Sequence, residues 1–215
     1  MRSRTAGMGA VAVVLFGASG CSEDASGAQP SLRERLSAGP MIALAAEPPG
    51  ATMTSTVSSG SAPAVYDYEL DVAGSIVLRA DGTGNVTLEG LELDIEDLVI
   101  TEMALPPDGL TLTNIRAEPS GAISGAGSWA ADGSSVEVIA TGQLLVDWAF
   151  IDSAGDTIQL SQLAIDDVDF AASAVLRSSG VIDVSIEATH AADFFDWAGF
   201  VTLSDLHIAT RGTDP

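Results

Sequence analysis

Hydrophobic and polar residues alternate along much of the chain from Val65 onward. In the segment NVTLEGLELDIEDLVI, residues 85–100, aliphatic and acidic residues take turns from Leu91 to Glu96. Successive side chains of a β-strand point to opposite faces of a sheet, so this alternation predicts a strand with one aliphatic face and one acidic face. The aliphatic face is expected to be buried and the acidic face to be solvated.

The alternation slips by one position at two places within this segment. Two residues that are not aliphatic separate Leu88 from Leu91, and two more separate Ile95 from Leu98. A β-bulge inserts one extra residue into one strand of an antiparallel pair, which restores the alternation and bends the strand. We expect one bulge at each slip.

The pattern that contains the first slip recurs along the chain. An aliphatic residue, Thr or Gln, Leu, two polar or small residues and a second aliphatic residue occur in this order at Val86–Leu91, Leu110–Ile115, Ile158–Leu163 and Val201–Leu206. Clusters of Gly, Pro, Asp and Ser lie between the copies, and short strands at that spacing favour an antiparallel meander. We expect the aliphatic positions of the copies to face one shared interior, in particular Leu88, Leu91, Leu160, Leu163, Leu203 and Leu206.

The predicted fold is all-β: an antiparallel meander with repeated strand units that forms a soluble barrel or a curved open sheet. Residues 65–211 form this β-domain and are expected to fold alone, with residues 212–215 as a tail. Residues 21–64 are rich in Ser, Ala, Gly, Pro and Thr and are predicted to be a flexible tether. Inside the tether, the capping-box pattern from Ser31 to Glu34 predicts a short helix.

The N-terminus has the layout of a secretory signal over residues 1–20. Two arginines precede an apolar run from Ala6 to Ala18, which is shorter than the roughly 18 residues that a membrane-spanning helix needs. The segment ASGC at 18–21 resembles the lipobox of bacterial lipoproteins, in which the cysteine is acylated and becomes the mature N-terminus. The resemblance implies a lipid anchor on Cys21, and the alternative is an ordinary cleavage site with an incidental cysteine.

Charge and cysteine content exclude several classes of protein. The chain carries 30 acidic residues against 8 arginines, with no lysine, for a formal net charge of −22. Such a surface repels nucleic acids and anionic lipid headgroups, so no nucleic-acid partner is expected. Cys21 is the single cysteine, which excludes a disulfide scaffold. The acidic residues are interpreted as a solvated face, with cation binding as the alternative.

Catalytic motifs such as the nucleophile elbow, the P-loop and the zinc-protease helix are missing from the sequence. His190 and His207, the two imidazoles, are interpreted as ordinary surface or sheet residues. Two acidic groups could supply oxygen ligands for Ca²⁺, namely Asp166, Asp167 and Asp169, and Asp94, Glu96 and Asp97. Neither has the loop spacing of an EF-hand. We therefore assign no catalytic residue, no metal ligand and no cofactor.

Aromatic residues are concentrated late in the chain, at Trp148, Phe150, Phe194, Phe195, Trp197 and Phe200. They are interpreted as anchors of the hydrophobic core, and the alternative is an exposed patch that binds a partner or glycan. Phe194 and Phe195 are adjacent, so within a strand only one of them could face the core.

Two classes of function fit these patterns, and a third is kept. The first is a non-catalytic lipoprotein of the bacterial cell envelope, anchored to the outer membrane through Cys21, whose β-domain binds an envelope protein or has a structural role. The second is a lipid-binding or lipid-transfer protein, since the recurrent strand pattern is similar to the sheet repeats of AsmA-like bacterial lipid-transfer proteins. That resemblance implies a curved apolar sheet that holds acyl chains. The third is an envelope hydrolase.

Overall fold

The computed structural model describes residues 29–58, 62–100, 110–151, 156–197 and 199–214. These residues contain one short helix and thirteen strands. In chain order they are α1 (Leu32–Ser37), β1 (Met41–Val57), β2 (Ala64–Leu70), β3 (Val72–Ala80), β4 (Asn85–Ile95), β5 (Leu98–Ile100), β6 (Leu110–Pro119), β7 (Ile123–Ala126), β8 (Ser128–Trp129), β9 (Ser135–Ile151), β10 (Thr157–Leu176), β11 (Ile182–His190), β12 (Phe195–Trp197) and β13 (Val201–Asp214).

Eight of these strands form a closed antiparallel barrel. Hydrogen-bonded neighbours follow the order β1, β3, β4, β6, β9, β10, β11 and β13, and β13 pairs in turn with β1. The closing ladder runs from Leu44 opposite Gly212 to Val57 opposite Val201. The all-β prediction is confirmed. The alternative of a curved open sheet is wrong, because the first and last strands pair and leave the ring without an edge.

One end of the barrel is divided at two places. Among the residues that the structure describes, β2 pairs only with β1, β5 only with β6 and β12 only with β13. Residues 157–165 of β10 likewise pair only with β9. One half of this end therefore consists of β12, β13, β1 and β2, and the other half consists of β5, β6, β9 and β10. We call this region the split end. At the other end, within the described ranges, β7 pairs with β4 and β8 with β9, and no ladder joins β7 to β9.

The division between β2 and β5 begins at Asp71 and Glu96. The backbone N–H of Glu96 donates to the carbonyl of Asp71 over 2.9 Å, and the N–H of Asp71 donates to the Glu96 carboxylate over 3.1 Å. The predicted bulge between Ile95 and Leu98 is therefore wrong. β4 ends at Ile95 and β5 begins at Leu98, and both pair with β6 without a register shift, Ile95 opposite Ile115 and Leu98 opposite Leu112.

Helix α1 begins with the predicted capping box. The hydroxyl oxygen of Ser31 accepts a hydrogen bond from the N–H of Glu34, and the Glu34 carboxylate accepts one from the N–H of Ser31 over 2.8 Å. Hydrogen bonds from Ser31 hold the pKa of the Glu34 carboxyl below its ordinary value, and the bond from the Ser31 backbone has the larger effect. The helix is therefore formed as its sequence predicts.

α1 closes the end of the barrel opposite the split end, and we call this the closed end. Leu32 and Leu36 are fully buried within the barrel core. Arg35 binds the carbonyl of Gly180 in the β10–β11 turn and pairs with the carboxylate of Asp214 at the end of β13 over 2.5 Å. The helix is thus attached to both the turns and the last strand of the barrel.

Apolar side chains fill the barrel and most carboxylates lie outside it. The prediction of a shared interior is confirmed for Leu88, Leu91, Leu203 and Leu206, all of which are buried. Leu163 is half-buried against the same core, and the prediction for Leu160 falls outside the described side chains.

Barrels that span an outer membrane have the reverse polarity, with an apolar outward face. Within the described ranges, no helix is long and apolar enough to span a membrane.

The recurrent sequence pattern encodes β-bulges. Gly90, Asn114 and Asp205, each the fifth residue of a copy, have positive φ angles of 53°, 52° and 53°. The strand register shifts by one residue at each of them. This is the arrangement of a bulge whose first residue adopts the left-handed conformation, which Gly tolerates best and Asn and Asp better than most residues. The bulge predicted between Leu88 and Leu91 is confirmed.

The copy at Ile158–Leu163 departs from this rule. The bulge of β10 lies at Asp167, with φ of 55°, and the register to β9 shifts between Ile165 and Val168. The overlapping segment Leu163–Val168 matches this pattern with Ile at its third position and Asp at its fifth, except that Ala164 stands in place of Thr or Gln. A fifth residue of Gly, Asn or Asp, rather than Gln, therefore accompanies the bulge.

We expect Asp205→Val to destabilise the protein by about 1–2 kcal/mol, because a β-branched residue is strained at positive φ. Asp205→Gly should be neutral or stabilising, and Thr202→Val, on the same strand outside the bulge, should change stability by less than about 0.5 kcal/mol. Urea unfolding of the three variants measures these differences. Equal midpoints for Asp205→Val and Asp205→Gly would contradict the role of the bulge.

The predicted domain boundaries require two corrections. Residues 41–57, assigned to the flexible tether, form β1, which pairs with β13, β2 and β3. Residues 212–214, assigned to the tail, belong to β13. The sequence pattern missed β1 for two reasons. Small residues such as Ala51 and Ser55 occupy some of its inward positions, so the alternation of hydrophobic and polar residues is weak. Its partner β13 is also distant in sequence.

Candidate functional site

Four aromatic side chains fill the interior of the split end, and we call them the aromatic cluster. Trp148 and Phe150 come from β9, and Phe195 and Trp197 come from β12. The rings of Trp148 and Phe195 meet edge to face with centroids 5.0 Å apart, and those of Phe150 and Trp197 lie 4.5 Å apart. Such pairs contribute about 0.5–1.5 kcal/mol beyond their buried area. Side-chain contacts therefore join the two halves where backbone pairing between them is missing.

β12 is the short and weakly attached partner in this contact. Its three residues pair with Val201–Leu203 of β13, and the N–H of Phe194 donates to the carbonyl of Leu203 over 2.9 Å. Phe195 and Trp197 are half-buried, whereas the β9 side chains of the cluster are 4% exposed or less. β12 therefore covers the buried rings of β9, while its backbone pairs, among the residues that the structure describes, with β13 alone.

A small apolar cavity adjoins the aromatic cluster. Its wall includes Met53, Leu112, Trp148, Phe194 and Leu206. The volume is about 10 Å³, which is room for about one water molecule. A buried water needs two to four polar partners, so we expect this cavity to be dry. The described interior is thus a packed core, with no space for an acyl chain without rearrangement.

Three polar atoms in the barrel interior have no hydrogen-bond partner among the residues that the structure describes. They are the hydroxyl oxygens of Ser55 and Thr210 and the indole N–H of Trp148. The three residues are 0%, 1% and 4% exposed. An unpaired buried donor or acceptor costs about 1–3 kcal/mol, and a buried indole N–H usually has a partner. These atoms are the polar groups that an incoming ligand could satisfy.

We expect Thr210→Val to raise the free energy of unfolding by about 1 kcal/mol, since it removes an unpaired buried hydroxyl and keeps the side-chain shape. Thr113→Val is the matched control, because the Thr113 hydroxyl donates to the Asp97 carboxylate over 2.6 Å and its loss should destabilise the protein. Denaturant unfolding of both variants measures the two signs. A destabilised Thr210→Val protein would show that the hydroxyl has a partner.

The histidines do not form a catalytic arrangement in the described part of the chain. His190 ends β11, and its ring centroid lies 6.4 Å from that of Phe194. His207 lies in β13, opposite Thr52 and Thr189. Within the described ranges, neither imidazole is hydrogen-bonded to a serine or to a carboxylate.

The acidic groups bond to neighbouring strands. Asp166 accepts from the amide of Gln143 over 2.6 Å, and Asp169 accepts from the hydroxyl of Thr141 over 2.9 Å. Asp97 accepts from the N–H of Asn114 over 3.2 Å and thereby supports the bulge of β6. Where the structure describes the chain, no group of three or more His, Cys, Asp or Glu side chains is arranged to hold a metal ion.

Other acidic residues line an outer groove of about 250 Å³ between β4, β6 and β9. Arg116 pairs with Asp94 over 3.0 Å at its centre, and Glu92, Glu118 and Asp147 surround the pair. Both members of the pair are more than two-thirds exposed. Exposed ion pairs contribute little to stability, so this groove is a solvated acidic surface.

The carboxyl groups of two turns have lowered pKa values. Asp81 accepts hydrogen bonds from the side chain of Thr83 and from backbone N–H groups, and these bonds hold its pKa below the ordinary value. The side chain and backbone of Ser134 do the same for the pKa of Asp132. Both carboxylates organise tight turns of the closed end, which is a structural role.

The aromatic residues divide between the two interpretations. Trp148 and Phe150 are core anchors, and Phe200 is 41% exposed in the turn before β13. Phe194 and Phe195 both pack against the core, because β12 begins only at Phe195 and the two side chains do not alternate along one strand. Cys21, the predicted lipidation site, lies outside the described residues.

The sequence matches no family model and no curated protein. Among solved structures, the chain is similar to Ail, the attachment invasion locus protein of Yersinia pestis, determined in complex with the heparin analogue sucrose octasulfate. The sequence identity is 8%, the TM-score is 0.38, and the match covers 81% of this chain and 97% of that chain.

Proposed function

We propose that this protein is a lipid-anchored protein of the bacterial cell envelope whose barrel is a non-catalytic binding module. The anchor is Cys21, as its resemblance to a lipobox implies, and the binding surface is the split end. The observation that carries the binding role is the construction of the split end. Two half-sheets meet there through the aromatic cluster, above a buried indole N–H that has no partner among the described residues.

The chain length between the anchor and the barrel supports this orientation. About ten residues separate Cys21 from Ser31, the cap of α1, and even a fully extended chain of that length spans at most about 35 Å. α1 lies at the closed end. An anchor on Cys21 therefore holds the closed end toward the membrane and leaves the split end facing away from it.

Exposed apolar side chains around the split end support its role in binding. Val65 in β2, Val99 in β5 and Phe200 beside β12 are 63%, 51% and 41% exposed. Unpaired strand edges and exposed apolar side chains at one site are features of a surface that recognises a partner. The acidic outer wall of the barrel would exclude nucleic acids and other polyanions from this role.

Replacement of the proposed anchor tests the first part of the proposal. Wild-type protein should incorporate a fatty-acid probe and partition into detergent, whereas Cys21→Ser should not incorporate the probe and should not be processed at this position, because the thiol is the acylation site. Ser26→Ala is a control that keeps the cysteine and should behave as wild type. Labelling of Cys21→Ser at the wild-type level would contradict the proposed anchor.

Site-specific photo-cross-linking in cells tests the second part. A photoreactive residue at Val99 or Phe200 should give a defined adduct, since both lie at the split end. The control position is Ile139, which is 78% exposed on β9 toward the closed end and should give none. Equal adducts at all three positions, or none at the split end, would contradict a binding role for this surface.

A further inference from the structure

Two polar groups that have no partner among the described residues lie in the two halves that meet at the contact between β12 and β9. Ser55, Leu203 and Phe195 are successive cross-strand neighbours on β1, β13 and β12, and the ring of Phe195 touches that of Trp148. These side chains therefore form a row that begins at the hydroxyl of Ser55 and ends at the indole N–H of Trp148. The dry cavity lies beside it, with both Met53 and Trp148 in its wall. Apolar space with a few convergent polar groups is the usual construction of a small-ligand site.

β12 is the element whose movement would enlarge this space. Within the described ranges its backbone pairs with β13 alone, and its side chains Phe195 and Trp197 occupy the interior. Gly199, with φ of 75°, lies in the turn that joins it to β13. Eight-stranded barrels are just wide enough either to be filled by side chains or to hold one small ligand. Withdrawal of two aromatic rings would convert the first state into the second.

The distribution of charge disfavours charged ligands. No carboxylate among the described residues is buried, so a cationic ligand would have no counter-charge in the interior. Of the six arginines in the described ranges, Arg33 and Arg35 contact the closed end. The other four form ion pairs with exposed or half-buried carboxylates: Arg79, Arg116, Arg177 and Arg211. The chain has no lysine. A buried carboxylate or phosphate would therefore have no cation beside it, and the net charge of −22 would oppose its approach.

We infer that the split end takes up one neutral single-chain lipid, of the monoacylglycerol class, when β12 moves away from the aromatic cluster. The acyl chain occupies the space vacated by Phe195 and Trp197, and an ester or hydroxyl oxygen of the headgroup accepts a hydrogen bond from Trp148. The inference rests on the proposed binding role of the split end and specifies its ligand.

Lipid titration of the full chain carrying Cys21→Ser tests this inference, because that chain has no acyl group of its own to compete. Native mass spectrometry and displacement of the neutral dye Nile red should show one 1-oleoylglycerol per protein. Affinity for oleate at mildly alkaline pH should be at least about tenfold weaker. Bound oleoylglycerol should also change amide hydrogen exchange in residues 194–197.

Two tryptophan variants separate hydrogen bonding from folding. Trp148→Phe keeps an aromatic ring and removes the N–H, so affinity for oleoylglycerol should fall by about threefold to tenfold. Trp129→Phe is the matched control, since its indole N–H donates to the carbonyl of Gly84 at the closed end and its loss should leave affinity unchanged. Far-UV circular dichroism confirms that both variants are folded.

Three results would overturn the inference: no complex with oleoylglycerol, equal affinity for oleate, or equal affinities in the two folded tryptophan variants. Cross-links from Val99 and Phe200 distinguish this failure from failure of the proposed function. A partner protein can bind the rim of the split end while β12 stays in place. Persistent cross-links without lipid uptake would therefore overturn the lipid inference alone.

Discussion

A chain that begins at residue 61, and so lacks β1, is expected to lose cooperative folding. β1 pairs with β13 along one side and with β2 and β3 along the other, so its removal opens the ring and creates two long unpaired edges. It also removes Ile42, Leu44 and Met53 from the core. Far-UV circular dichroism and urea unfolding should show a broad, non-cooperative change.

Two other truncations show which part of the N-terminal region matters. A chain that begins at Gln29 keeps every described residue and should unfold like the full barrel. A chain that begins at Met41 keeps β1 but loses Leu32 and Leu36, whose burial contributes about 1.5–3 kcal/mol each, and should be less stable yet still cooperative. The sequence prediction that residues 65–211 fold alone is opposed by the closed ring. An unchanged unfolding midpoint for the chain from residue 61 would restore it.

Phe150→Ala is expected to cost about 3–5 kcal/mol, which is a large part of the 5–15 kcal/mol that stabilises a typical domain. Phe150 is 1% exposed, and its ring lies within 6 Å of three other rings, those of Trp148, Phe195 and Trp197. The cavity left behind would lie where the two halves of the split end meet only through side chains. The effect should therefore include faster amide exchange in β12, in addition to a lower unfolding midpoint.

Phe200→Ala is the matched control for this prediction. Phe200 is another phenylalanine of the same end, but it is 41% exposed, so its truncation should change stability by less than about 0.5 kcal/mol. An equal loss of unfolding free energy in the two variants would mean that a ring of the aromatic cluster stabilises the protein no more than an exposed ring does. A large cost for Phe150→Ala without altered exchange in β12 would mean that the cluster does not hold the two halves together.

Local sequence patterns were sufficient to predict the features that depend on local chemistry. The alternation over residues 85–100 predicts the inward and outward faces of β4, and the capping box at Ser31 predicts α1. The slip between Leu88 and Leu91 predicts a bulge, because Gly90 accepts the positive φ that such a bulge requires. Each of these features is determined by side chains within a few residues of one another.

Features that depend on distant pairing could not be predicted in this way. β1 contains Thr52, Thr54 and Thr56 on one face, a composition that favours strands but carries little hydrophobic contrast. Its place in the barrel is set by β13, at the other end of the chain. The candidate site has the same origin: the contact between Trp148 and Phe195 arises from the packing of two half-sheets. A single sequence shows neither which strands remain unpaired nor which buried N–H lacks an acceptor.

The pairing of the first strand with the last has a consequence for the order of folding. Apart from this pair, neighbours around the ring are much nearer in sequence than β1 and β13 are, and the loops between them close at a lower entropic cost. The β1–β13 ladder has a high contact order, and such pairings form slowly. During synthesis, the ring cannot close until residues 201–214 have emerged. Until then both edges of the growing sheet are open, and the nascent chain is exposed to misassembly with other copies.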